Sequence, residues 1–72
     1  MPYQRLTVRG DALRRVRLAA AMTQADLARE AGVIATTISH MEGSRKARPT
    51  TVRKVAAALG VDPRDIATLE AP

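Results

Sequence analysis

From Asp11 to Leu69 the apolar positions recur at spacings of three and four, the period of helices that turn one face inward. Leu13, Val16 and Ala20 form such a stripe, and Asp11 ahead of it is suited to capping, so the spacing predicts a first helix running to about Ala21. Thr23 then offers its hydroxyl to the free amides of a second helix, and Asp26 three residues later completes a capping box at that helix's positive end. Leu27, Ala28 and Ala31 share one face. Gly32 follows where the departing chain needs a left-handed backbone, which only a residue without Cβ adopts freely. Val33, Ile38 and Met41 would point inward from a third helix, leaving Ala35, Thr36, Ser39 and His40 outward.

Arg48-Pro49 stops the chain, and Thr50 or Thr51 caps a fourth helix with Val52, Val55, Ala56 and Leu59 at i, i+3, i+4 and i+7. Gly60 closes it, and Val61 is placed to pack back on it. Asp62-Pro63 reads as the cap and first turn of a fifth helix carrying Ile66 and Leu69. No strand pattern is visible between Asp11 and Glu70. The expected fold is all-α, a compact bundle of five short helices, with residues 1–10 as an N-terminal arm and 11–70 as the domain. The arm alternates loosely, with Leu6 and Val8 on one side and Tyr3, Arg5 and Thr7 on the other. It is open to three readings: a frayed end, a flexible arm, or a short strand that pairs with a second subunit.

At 72 residues the chain is one domain, which buries only ~60% of the surface its unfolded form exposes. Cysteine is absent, which leaves no disulfide framework and no thiolate metal site. No apolar run has spanning length and the N-terminus lacks the layout of a signal peptide, so the expected location is the cytoplasm, away from membranes. Twelve Lys and Arg against seven Asp and Glu give a net charge of +5 and point to a polyanionic partner. Arginine-rich usage also follows genome composition, so the charge gains its meaning from the helix pattern. One histidine, no cysteine and scattered carboxylates assemble no catalytic constellation, no metal site and no cofactor pocket; the chain reads as a non-enzyme.

The short helix, glycine turn and second short helix of Thr23 to Arg45 have the layout of a helix-turn-helix. Thr23, Gln24, Leu27 and Ala28, the Ala31-Gly32-Val33 turn, Thr37-Ile38-Ser39, Glu42-Gly43, and Ala56 to Gly60 followed by Val61 together resemble the Cro/C1-type (XRE) family. The resemblance covers roughly Leu13 to Leu69 and implies a lambda-repressor-like DNA-binding domain. It implies a transcriptional regulator, repressor-like, that reads double-stranded DNA by inserting the helix near Ala35 to Glu42 into the major groove, where each base pair shows a distinct pattern. Base-reading positions then correspond to Ala35, Thr36, Ser39 and His40. Gln24 corresponds to a backbone contact, Thr37 and Ser44 add hydroxyl or amide contacts, and Arg45, Lys46 and Arg48 supply charge to phosphates. Arg5 and Arg9 could reach the same backbone. Arg17 and Glu42 occupy the places of a structural ion pair between the first helix and the end of the recognition helix.

Two positions depart from the family's pattern. Ile34 stands where a serine or threonine commonly caps the recognition helix, and Ala21 where glycine is common. Such proteins act as homodimers on half-sites, and Ile66, Leu69 and the N-terminal segment are the candidates for the contact. Two further readings remain open. One is a DNA-binding antitoxin whose protein partner would meet an apolar patch around Leu18, Met22 or Ile34; the other is a basic helical protein-interaction module.

Overall fold

The computed structural model describes residues 5–69. Four α-helices lie among the described residues: α1 (Gly10–Ala19), α2 (Gln24–Ala31), α3 (Ala35–Glu42) and α4 (Pro49–Leu59). Three short strands, β1 (Leu6–Val8), β2 (Lys46–Ala47) and β3 (Ala67–Leu69), form an antiparallel sheet in the order β2-β1-β3. Tyr3 and the expected domain end at residue 70 lie outside the described residues.

The start of α2 follows its sequence signals closely. Asp26 N–H donates to Thr23 Oγ1 and Thr23 N–H to Asp26 Oδ2, each at 3.0 Å, so both halves of the capping box are present. Gly32 and Gly60 end α2 and α4 with φ of 72° and 70°, a conformation that a Cβ disfavours. Val61 folds back, its N–H donating to the Ala56 carbonyl at 3.0 Å. The core gathers Leu13 of α1, Leu27 and Ala28 of α2, Ile38 and Met41 of α3, and Val52, Val55 and Ala56 of α4. Val8, Ile66 and Ala67 close it from the sheet side.

An all-α bundle of five helices is therefore corrected to four helices and a small sheet. The predicted fifth helix is one 3-10 turn, Pro63–Asp65, capped by the Asp62 side chain. An Asp-Pro start signals that turn as well as it signals an α-helix. After it Ile66 is buried in the core and the chain extends, pairing Val8 with Ala67, Thr7 with Thr68 and Leu6 with Leu69. Two- and three-residue strands are too short to show alternation, which is why β2 and β3 left no strand pattern. The segment before α1 is a strand that pairs within its own chain, on both sides.

Helix ends shift by a residue or two. Arg9, not Asp11, occupies the cap position of α1; α1 stops at Ala19, and Ala20 is exposed rather than part of the buried stripe. Arg48 precedes α4 in place of a threonine cap, because Pro49 fits the first helical position, where its missing N–H costs nothing. Ala21, which stands where the family commonly has glycine, is left-handed, with φ 58°.

Candidate nucleic-acid interface

α3 is held by its inner face. Ile38 and Met41 are buried, which turns Ala35, Thr36, Ser39 and His40 outward, and all four are exposed. The outward face is short, small and polar. Ile34 precedes it without a side-chain cap and is itself 69% exposed.

A second device fixes the far end of α3. Arg17 of α1 reaches Glu42, the last residue of α3; the two side chains are only 9% and 8% exposed. Arg17 Nη2 donates to Glu42 Oε1 at 3.0 Å, Arg17 Nε donates to Oε2, and Arg17 Nη1 donates to the Met22 carbonyl at 2.8 Å. Gln24 Nε2 at the start of α2 donates to the same Oε1 at 3.1 Å. Burial pushes the Glu42 carboxyl up, but the hydrogen bonds from Arg17 and Gln24 and the charges of Arg17 and Arg14 outweigh it and hold the pKa below the usual range. The Arg17 guanidinium is shifted up by its hydrogen bond to Glu42. The Arg17–Glu42 pair thus ties α1, the α1–α2 turn, the front of α2 and the end of α3 together. Gln24, read from sequence as a backbone contact, has its amide nitrogen in this brace.

Three of the cations read as backbone contacts lie beyond α3. Arg45 is exposed in the loop, Lys46 in β2, and Arg48 at the start of α4. Thr37 is half-buried and lines a depression together with Arg5, His40, Lys46, Arg48 and Thr51. Ser44 is left-handed, with φ 60°, and its Oγ accepts from the Gly10 N–H at 3.1 Å. Sequence reasoning missed Gly10: a Cβ there would stand 2.2 Å from the Glu42 carbonyl oxygen. A contact so distant in sequence leaves no local signal. Arg9, considered as a DNA contact, instead donates from Nη2 to the Arg64 carbonyl. Among the described residues no group of three His, Cys, Asp or Glu side chains could hold a metal ion, and no helix is long and apolar enough to cross a membrane.

The helix-turn-helix domain family matches residues 10–69, everything from the start of α1 to the end of β3. The chain belongs to the helix-turn-helix domain family, in its Cro/C1-type (XRE) branch. It is a DNA-binding transcription regulator. The restriction-modification controller protein C.AhdI from Aeromonas hydrophila is 32% identical over 78% of this chain and 86% of its own, with a TM-score of 0.73. Wild-type controller protein C.Esp1396I is 30% identical over 74% of this chain and 70% of its own, with a TM-score of 0.68. A variant of hydroxyethylphosphonate dioxygenase shares the fold at 24% identity and a TM-score of 0.72, but the match covers only 14% of that enzyme. None of the curated proteins matches the chain.

Proposed function

We propose that this helix-turn-helix protein is a sequence-specific, repressor-like regulator that binds duplex DNA as a homodimer, with α3 in the major groove of each half-site. The observation that carries this reading is the pairing of an exposed α3 face with a buried fastening at its end: Ala35, Thr36, Ser39 and His40 face outward while Glu42 is locked to Arg17 and Gln24. A reading helix must be rigid relative to its partner helix, because base contacts demand sub-ångström placement. Thr36 and His40, one turn apart, are the hydrogen-bonding readers; Ala35 meets a thymine methyl group and Ser39 adds a hydroxyl. Thr37, Ser44, Arg45, Lys46 and Arg48 serve the backbone, and Gln24 joins them through the second hydrogen of the amide that braces Glu42.

The likeness to C.AhdI and C.Esp1396I favours a regulator of the restriction-modification controller kind, acting in the cytoplasm on the genes beside its operator. One eight-residue helix reads few base pairs, so two copies on half-sites about one helical turn apart supply the rest of the specificity. Ile66 is buried within its own domain and so leaves the set of dimer candidates. Selection of sites from random duplexes tests the reading: paired half-sites at a spacing of ~34 Å are expected. Recovery of no enriched sequence would refute it. Four neutralised phosphates per half-site would give a log-log salt slope of roughly −7.

A further inference from the structure

The two helices of the motif begin differently. Thr23 caps α2 with its hydroxyl, whereas α3 starts behind Ile34, whose side chain caps nothing. Ser, Thr, Asn or Asp at that place would satisfy a first-turn amide, so isoleucine costs the helix stability. Ile34 does not make up that loss in the core. It lies outside the buried cluster and outside the apolar side chains packed against it, and it is 69% exposed.

Its backbone is nonetheless fixed from both sides. Val33, the residue ahead, packs against the core, and its N–H donates to the Ala28 carbonyl at 2.9 Å. The Ile34 carbonyl accepts from the Thr37 N–H at 3.0 Å. Ile34 is thus held extended, with φ −88° and ψ 155°, and its side chain is left to solvent. A lone exposed isoleucine needs no explanation on most surfaces. Here Ala35 follows and is also exposed, so two consecutive apolar side chains stand at the end of the helix that meets base edges first. Neither can hydrogen-bond. The apolar group that base edges offer in the major groove is a methyl at C5 of a pyrimidine.

We propose that Ile34, together with Ala35, seats the C5-methyl group of one pyrimidine, which makes Ile34 a specificity-determining residue. The inference rests on the placement of α3 in the major groove proposed above. The methyl is that of thymine or of 5-methylcytosine. Contact removes water from the methyl and from the isoleucine side chain; a base without the methyl leaves that apolar surface facing a gap. The reading surface then has two parts. Ile34 and Ala35 select a methyl at the front, and Thr36 and His40 select hydrogen-bonding groups along the helix.

The test uses the whole chain and a duplex carrying its selected site. Thymines are exchanged one at a time for deoxyuridine, which removes the methyl and leaves the hydrogen-bonding edge unchanged. Wild-type protein should bind about fourfold more weakly when one particular thymine of a half-site is exchanged, the effect of one methyl-sized group. A second arm methylates the cytosines of the same duplex at C5, one at a time. A thymine whose exchange weakens binding identifies thymine as the source of the methyl. A cytosine whose methylation tightens binding about fourfold, with no thymine sensitive, identifies 5-methylcytosine. Ile34→Ser and Ile34→Val are titrated against the same pairs of duplexes, with melting curves showing that each folds. Ile34→Val should keep most of the discrimination. Ile34→Ser should bind duplexes with and without the methyl alike while melting no lower than the wild type, because it supplies a cap. The readout is the ratio within each pair, which a change in backbone affinity or in stability does not move. Equal binding of the wild type to every pair, or a ratio that Ile34→Ser leaves unchanged, would overturn the seat while DNA binding stands. Absence of duplex binding by the wild type would overturn both.

Discussion

Arg17 and Glu42, twenty-five residues apart in sequence, meet with Arg17 Nη2 donating to Glu42 Oε1 at 3.0 Å in a nearly water-free contact. Burying either charge alone is costly, and the pair is tolerable because every oxygen of the carboxylate accepts a hydrogen bond from Arg17 or Gln24. Glu42→Ala leaves the guanidinium buried without its carboxylate. The expected cost is about 3 kcal/mol, a drop in melting temperature of more than roughly 10 °C. Thermal melts by circular dichroism check this, and an unchanged melt would remove the brace from the account.

The same contact sets a pH dependence. Because the folded carboxyl of Glu42 is held below its unfolded value, its contribution is complete above the unfolded pKa, about 4.3, and is lost as pH falls through the folded value. Stability measured by urea unfolding should be flat for this group from neutrality to about pH 5 and decline below that. Asp26 and Asp62 shift the same way, but they lie in exposed caps and contribute little. Glu42→Gln should flatten part of the acid decline; an identical decline in wild type and variant would contradict the assignment.

Gly10 lets the start of α1 approach the end of α3 and Ser44 closely. A Cβ at Gly10 would meet the Glu42 carbonyl oxygen at 2.2 Å and Ser44 Oγ at 2.8 Å. The nearest obstacle is backbone, which cannot swing aside. Gly10→Ala should therefore cost about 3 kcal/mol or more, read as a shifted denaturation midpoint, although alanine is ordinarily the better helix former. A stabilised variant would show that the two segments are farther apart.

Ala21 has φ 58°, a left-handed conformation that a Cβ opposes by about 1–2 kcal/mol. Glycine there loses more freedom on folding, so part of the relief is returned. Ala21→Gly should raise stability by about 0.5–1 kcal/mol, visible as a melting temperature higher by a few degrees. A fall would mean that the turn is not strained.

How legible each feature was in the sequence depended on the range of the interaction behind it. Thr23 with Asp26, Gly32 and Gly60 act within a few residues, so the bounds of α2 and the end of α4 could be read directly. Leu13, Leu27, Ile38, Val52 and Val55 were legible because a helical period marks an inward face whatever it packs against. β2 and β3 are defined by partners in β1 rather than by their own pattern, and Lys46-Ala47 is no longer than one period. Ile66 was equally suited to a core or a contact between subunits until the 3-10 turn placed it inside. Of the site, the outward set on α3 and the Arg17–Glu42 pair followed from family position, whereas Gly10 reaches the site only through the close approach of α1 to the end of α3.

The central claim is that α3 reads base edges through Thr36 while the rest of the surface supplies sequence-independent affinity. The measurement that tests it most directly is a comparison of the sites that wild type and Thr36→Ala select from the same pool of random duplexes. The account predicts that the variant still folds and binds duplex DNA, and that its preference relaxes by ~1–3 kcal/mol at one base pair of each half-site, the others holding. Identical preferences in the two proteins would contradict it.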